Sequence, residues 1–134
     1  MSSHSESEKP NVFRQVIQVN GFTLHADVPT EAGGAGGDPD PHDLFDSSLA
    51  ACKALTALVY AKSRGMPLER VAIDVTRDDS RERQGVYKLS VKVELFGPLS
   101  AEQKAKLHEI TTRCPIHKLM TTSTVEIETL PLAP

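Results

Sequence analysis

Residues 41–65 read PHDLFDSSLAACKALTALVYAKSRG, and the fold turns on how this stretch is read. From His42 to Arg64 there is neither Gly nor Pro, and good helix formers dominate. Phe45, Leu49, Cys52, Leu55 and Val59 fall on one stripe, while Leu44, Ala51 and Leu58 widen it to most of the circumference. Lys62 and Arg64 sit in the last turn, Gly65 offers the left-handed C-terminal position, and Pro67 prevents continuation. A helix apolar nearly all round is a buried one. The stretch therefore predicts a long central helix, covered on one side by a sheet and on the other by a second subunit.

Upstream, Val12, Val16, Ile17 and Val19 lead to Asn20-Gly21, followed by Phe22, Leu24, Ala26 and Val28 on alternate positions. Asn-Gly between two apolar runs predicts a hairpin with strands near 11–19 and 22–28. Between that hairpin and the helix, residues 29–41 carry four of the eight glycines and read as a mobile loop. No Gly-Lys-Ser/Thr follows, and Asp38 and Asp40 would repel an anion, so phosphate binding is not expected there. Residues 1–10 hold no apolar anchor and read as a disordered tail ahead of a single domain at 11–134.

Downstream, Val71, Ile73 and Val75 alternate, and after the charged turn Arg77 to Gly85 so do Tyr87, Leu89, Val91, Val93 and Leu95. That is a one-sided antiparallel hairpin. Ser100 with Gln103 predicts a capping box opening a helix over 101–112. Cys114-Pro115 predicts a second, shorter helix capped by the cysteine, and Val125, Ile127 and Thr129 a closing strand. The predicted order is ββαββααβ, an α+β fold with an antiparallel sheet on the central helix.

Composition removes several functions. Fifteen Lys+Arg against eighteen Asp+Glu in 134 residues leave a formal charge of -3, which offers no basic field for a polyanion. Aromatics at 4% leave few platforms for stacking single-stranded bases. Neither an uninterrupted apolar span nor a basic-then-apolar leader is visible, so neither nucleic acid nor membrane is expected as a partner, and the cytoplasm is the expected location.

Chemistry is left to the two cysteines. Cys52 lies mid-helix on the apolar stripe, where a cysteine commonly serves as a small hydrophobe. Cys114 follows Arg113, opens a helix and stands three residues before His117, a setting that favours a nucleophilic thiolate or else a simple cap. Cys114, His117, Cys52 and His42 could together make a zinc set, but only one close ligand pair exists, and no metal or cofactor is expected. His4 and His25 read as a tail residue and a strand-surface residue.

Two segments carry a family resemblance: Pro41-His42-Asp43-Leu44-Phe45 running on to Leu49-Ala50-Ala51-Cys52, and Cys114-Pro115-Ile116-His117-Lys118. Together with the glycines at 33–37, they resemble the OsmC/Ohr family of osmotically inducible and organic-hydroperoxide-resistance proteins, over residues 11–130. The resemblance implies an intertwined homodimer that reduces organic hydroperoxides to alcohols, with active sites at the subunit interface. It implies Cys52 as the peroxidatic and Cys114 as the resolving cysteine, with an external dithiol, in one branch a lipoyl-bearing protein, as reductant. The family pairs the peroxidatic cysteine with an early-strand arginine and with a glutamate shortly before the cysteine-bearing helix. Here Arg14 is the only arginine in the N-terminal strands, and Asp43 fills the acidic place one methylene shorter. The rival expectation is a catalytically weak dimer of the same fold that binds an apolar small molecule at its interface.

Overall fold

The computed structural model describes every residue from Met1 to Pro134 and divides into two compact units, Met1–Ser47 and Ser48–Pro134. The first unit holds a three-stranded antiparallel sheet in the order β1-β2-β3, formed by β1 (Ser3–Ser7), β2 (Gln15–Val19) and β3 (Phe22–Ala26). Asn20 and Gly21 turn the β2–β3 hairpin with φ of 48° and 83°, both in the left-handed region that a two-residue hairpin turn needs.

Strand β1 corrects the expectation of a disordered tail. Its five residues are all exposed, so no apolar burial announces it in the sequence. Backbone pairing from Ser3↔Val19 to Ser7↔Gln15 holds it instead, helped by Ser5 Oγ donating to Gln15 Oε1 at 3.0 Å.

The glycine-rich segment is also more built than expected. Asp27 is buried, and its carboxylate accepts from the N–H of Val28 at 2.8 Å and of Ala35 at 3.0 Å. A 3-10 turn at Thr30–Ala32 follows, and the Gly34 N–H donates to the Pro29 carbonyl at 3.1 Å. A Cβ at Gly34 would stand 1.8 Å from the Val28 carbonyl oxygen, so only glycine fits there.

Helix α1 (Pro41–Ser63) begins where Asp40 and Asp43 cap each other: the Asp43 N–H donates to Asp40 Oδ1 at 2.8 Å and the Asp40 N–H to Asp43 Oδ2 at 3.0 Å. Pro41 takes the first helical position, where its missing N–H costs nothing. At the other end Gly65 has φ of 65°, and the N–H of Met66 reaches the Ala61 carbonyl at 2.9 Å, closing a Schellman motif.

Its own chain does not bury the helix all round. Leu49, Lys53, Ala57 and Ala61 form the one buried stripe, while Phe45, Leu55 and Val59 stand 46%, 59% and 68% exposed. Helix α1 is long and apolar enough to cross a membrane on length and composition alone. A buried lysine bonded to two protein acceptors marks it instead as a helix that packs on protein.

In the second unit, β4 (Arg70–Asp78) and β5 (Lys88–Phe96) make a separate two-stranded antiparallel sheet, so the single sheet expected is in fact two. Its register sets Val71, Ile73 and Val75 against Leu95, Val93 and Val91, the expected apolar face. Helix α2 (Ala101–Ile110) opens with the predicted Ser100–Gln103 capping box, a 3-10 turn at Thr111–Arg113 follows, and α3 (Pro115–Thr121) is capped by Cys114 with Pro115 at its start.

The closing strand does not form. No regular structure follows Thr122, and Val125 and Ile127 are 66% and 87% exposed. Alternating residues become a strand only against an edge that accepts them, and the observed order is βββαββαα.

The Gly34 contact gives the first prediction. Gly34→Ala lowers Tm by several degrees, a loss of about 2 kcal/mol or more, because the new methyl meets backbone. Gly37→Ala, with nothing within 4 Å of its added Cβ, leaves Tm unchanged or slightly higher. Equal thermal scans of the two variants would contradict the steric account.

Candidate functional site

The site grows from two adjacent residues of α1. Cys52 is half-buried, and Lys53 beside it is 3% exposed. Removing an ammonium from water costs several kcal/mol unless acceptors replace it. Lys53 Nζ has two: the Thr111 carbonyl oxygen at 2.9 Å and His117 Nδ1 at 2.9 Å.

Both acceptors belong to the turn that carries Cys114. Thr111 opens the 3-10 turn, His117 lies in the first turn of α3, and Cys114 stands midway between them, completely buried. Cys114 Sγ accepts from the His117 N–H at 3.3 Å, as an N-cap should. Cys52 is near enough to Cys114 to push its thiol up, and both are free thiols.

The electrostatics correct one expectation. The helix start and neighbouring cations predicted a Cys114 thiolate, but burial pushes this thiol up from its ordinary 9.0. The His117 N–H and the Lys53 charge pull it down, and Cys52 adds a further upward push, with burial the largest effect. Cys114 is a neutral thiol near pH 7. His117 is held below its ordinary 6.5, first by burial and then by the Lys53 charge. Its neutral ring accepts a hydrogen bond from Lys53 Nζ at Nδ1, which leaves the ring N–H on Nε2.

Cys52 lies in the wall of an open groove of about 880 Å³. Leu55, Val59, Tyr60, Ile110 and Ile116 are among the residues that line it, and such an apolar lining suits an alkyl group better than a small polar molecule. No three His, Cys, Asp or Glu side chains converge to hold a metal ion, and the Nδ1 of His117 is taken by Lys53.

The four residues singled out in the sequence fall in different units. Cys52 and Cys114 come together in the second. Arg14 and Asp43 lie in the first, each with partners there. The Arg14 guanidinium bonds Asp38 through Nε at 2.7 Å and also pairs with Glu8, and it holds the Asp38 carboxyl below the usual carboxylate range. Asp43 is half of the cap of α1. Sequence reasoning missed the joint role of Lys53 and His117, although a lysine interrupting an apolar stripe is a visible signal.

A family model described as "OsmC-like protein" matches residues 33–129. Among solved structures, an OsmC-like protein from Mycoplasma pneumoniae superposes with a TM-score of 0.71 at 18% identity, over 90% of this chain and 86% of that one. An organic hydroperoxide resistance protein OsmC from Legionella pneumophila gives 0.63 at 21% identity, over 90% and 88%. An organic hydroperoxide resistance protein from Elizabethkingia anophelis gives 0.64 at 17% identity, over 90% and 86%. At these identities the likeness is one of fold. No curated protein matches the chain.

The two shifted groups set a pH window for stability. Folding disfavours the His117 imidazolium, so as pH falls below 6.5 toward the lowered value, the unfolded chain binds the proton more readily and stability drops. Folding also disfavours the Cys114 thiolate, so above 9.0 the unfolded chain loses that proton more readily and stability drops again. Tm plotted against pH should be flattest between these limits. His117→Gln removes much of the limb just below 6.5 and Cys114→Ala much of the alkaline one; unaltered limbs in both variants would refute the assignment.

Proposed function

The chain belongs to the OsmC-like protein family, and from that membership we propose that it is a thiol-dependent peroxidase that reduces organic hydroperoxides. The observation that carries the reading is the pair of neighbouring free thiols, with Cys52 in the wall of an apolar groove and Cys114 fully buried.

The two positions divide the chemistry. Cys52, as thiolate, attacks the distal peroxide oxygen; a sulfur–oxygen bond forms, the O–O bond breaks, and the alkoxide takes a proton and leaves as alcohol. Cys52 is then a sulfenic acid. The Cys114 sulfur displaces its hydroxyl, the Cys114 proton leaves with that hydroxyl as water, and a Cys52–Cys114 disulfide remains. An external dithiol, of which a lipoyl-bearing protein is one candidate, takes the oxidation and restores both thiols. Arg14 and Asp43 are the residues that the family pattern assigns to activating Cys52, and the cytoplasm keeps such thiols reduced.

The same reading makes the protein a homodimer. Leu55 and Val59 are exposed on the groove side of α1, and a second copy of the chain is the occupant that would cover them. Sedimentation should therefore show a dimer, and Val59→Glu should lower its affinity at least tenfold. A wild-type monomer at tens of micromolar would remove this part of the proposal.

The peroxidase reading is tested by intact mass and thiol count after one equivalent of cumene hydroperoxide. Wild type should lose two hydrogens and both thiols within seconds. Cys52→Ser should consume no peroxide, and Cys114→Ser should complete one turnover and stop at an oxidised Cys52. An unchanged wild-type mass with both thiols intact would favour the other reading, a weakly catalytic dimer whose groove binds an apolar molecule.

A further inference from the structure

Lys53 sits where the packing of α1 calls for an apolar side chain. Leu49, Ala57 and Ala61 continue the buried stripe above and below it, and an alkyl group in its place would avoid the cost of burying a charge. What the lysine provides and an alkyl group could not is a pair of hydrogen bonds, to Thr111 O and to His117 Nδ1. Those acceptors lie three residues before and three residues after Cys114. Cys114 Sγ is itself tied to the His117 backbone N–H. The turn is thus held on both sides of the thiol by a side chain rooted next to Cys52.

We propose that Lys53 is a positioning residue for disulfide closure: by clamping the Thr111–His117 turn to α1, it keeps the Cys114 thiol facing Cys52. It touches neither the peroxide nor the reacting sulfurs in the steps above. Its effect is on effective concentration. A thiol held in reach of its partner closes the bond as an intramolecular step, and one on a loosened turn does so far less often. Closure prevents the over-oxidation of a waiting sulfenic acid, so the clamp bears on how long the protein survives excess hydroperoxide.

This inference rests on the disulfide half of the proposed function but not on the hydroperoxide. The test uses glutathione alone. Oxidised glutathione converts the two thiols to the Cys52–Cys114 disulfide, giving two reduced glutathiones, and the equilibrium ratio reports the effective concentration of Cys114. The full chain is compared with Lys53→Met, which removes the charge and the donors at similar volume, and with Lys53→Arg, which restores both. Far-UV circular dichroism confirms that each is folded.

Lys53→Met should lower the effective concentration at least tenfold, and Lys53→Arg should recover it to within threefold of wild type. A folded Lys53→Met within twofold of wild type overturns the clamp, as does a folded Lys53→Arg that falls as far as the methionine variant. Should Lys53→Met not fold, His117→Leu removes one acceptor and leaves the lysine; a fall of threefold or more supports the clamp, and no change overturns it. A wild type that closes its disulfide with glutathione yet ignores cumene hydroperoxide would end the peroxidase reading and leave the clamp standing.

Discussion

The hydrogen bonds from Lys53 to Thr111 and His117 are the constraint on which the arrangement of the second unit depends. They join a helix to a turn 58 and 64 residues away in sequence, and they do so where water is excluded. A charge in that position is tolerated only because its acceptors are in place, so the structure carries an asymmetry. Keeping the bonds contributes modestly to stability, whereas losing a partner leaves a buried charge that costs several kcal/mol. The turn that bears Cys114 cannot drift without incurring that cost. Electrostatics weighs there beside packing, since of the most deeply buried apolar residues of this unit Ala57 and Ala61 are small and only Leu107 is large.

That economy of burial runs through the chain. Few large side chains are fully covered, and Phe13, Phe22, Leu55, Val59, Ile127 and Leu132 are among the apolar residues left exposed. Leu55 and Val59 among them line one groove, and an exposed apolar groove is a common mark of an interaction surface. In the proposed dimer, the groove along α1 and the unpaired alternation after Thr122 would gain cover, and part of the hydrophobic stabilisation would come from contacts between copies.

What the sequence made legible was local. Asn20-Gly21, Ser100 with Gln103, Gly65 with Pro67, and Cys114-Pro115 each encode a turn or a helix end through the conformational limits of one or two residues, and each stands where those limits put it. The motifs around Cys52 and Cys114 led to the family, and the two cysteines do meet. What was not legible depends on partners far away in sequence. Strand β1 is held by backbone bonds that no side-chain pattern reveals, and the residues near Val125 alternate like a strand but have no edge to join. The ordering of the glycine loop comes from one buried carboxylate, Asp27, which periodicity passes over. Arg14 was visible as the lone N-terminal arginine, yet its pairing with Asp38 and Glu8 was not.

The two thiols show why tertiary context overrides sequence environment. By sequence Cys114 is the activated one, with a helix start, an arginine and a histidine close by, and Cys52 the inert one on an apolar face. In the folded chain the burial of Cys114 outweighs those favourable neighbours and keeps its proton on, while Cys52 is the thiol that the groove reaches. A neutral thiol is a poor first nucleophile but a stable reserve. In the proposed cycle it would resist adventitious oxidation until a sulfenic acid formed beside it, and the hydroxide leaving that sulfenic acid would supply the acceptor for its proton. In that proposed cycle the burial of Cys114 would set the order of events: the half-buried sulfur in the groove would react first, and the buried one would respond to it.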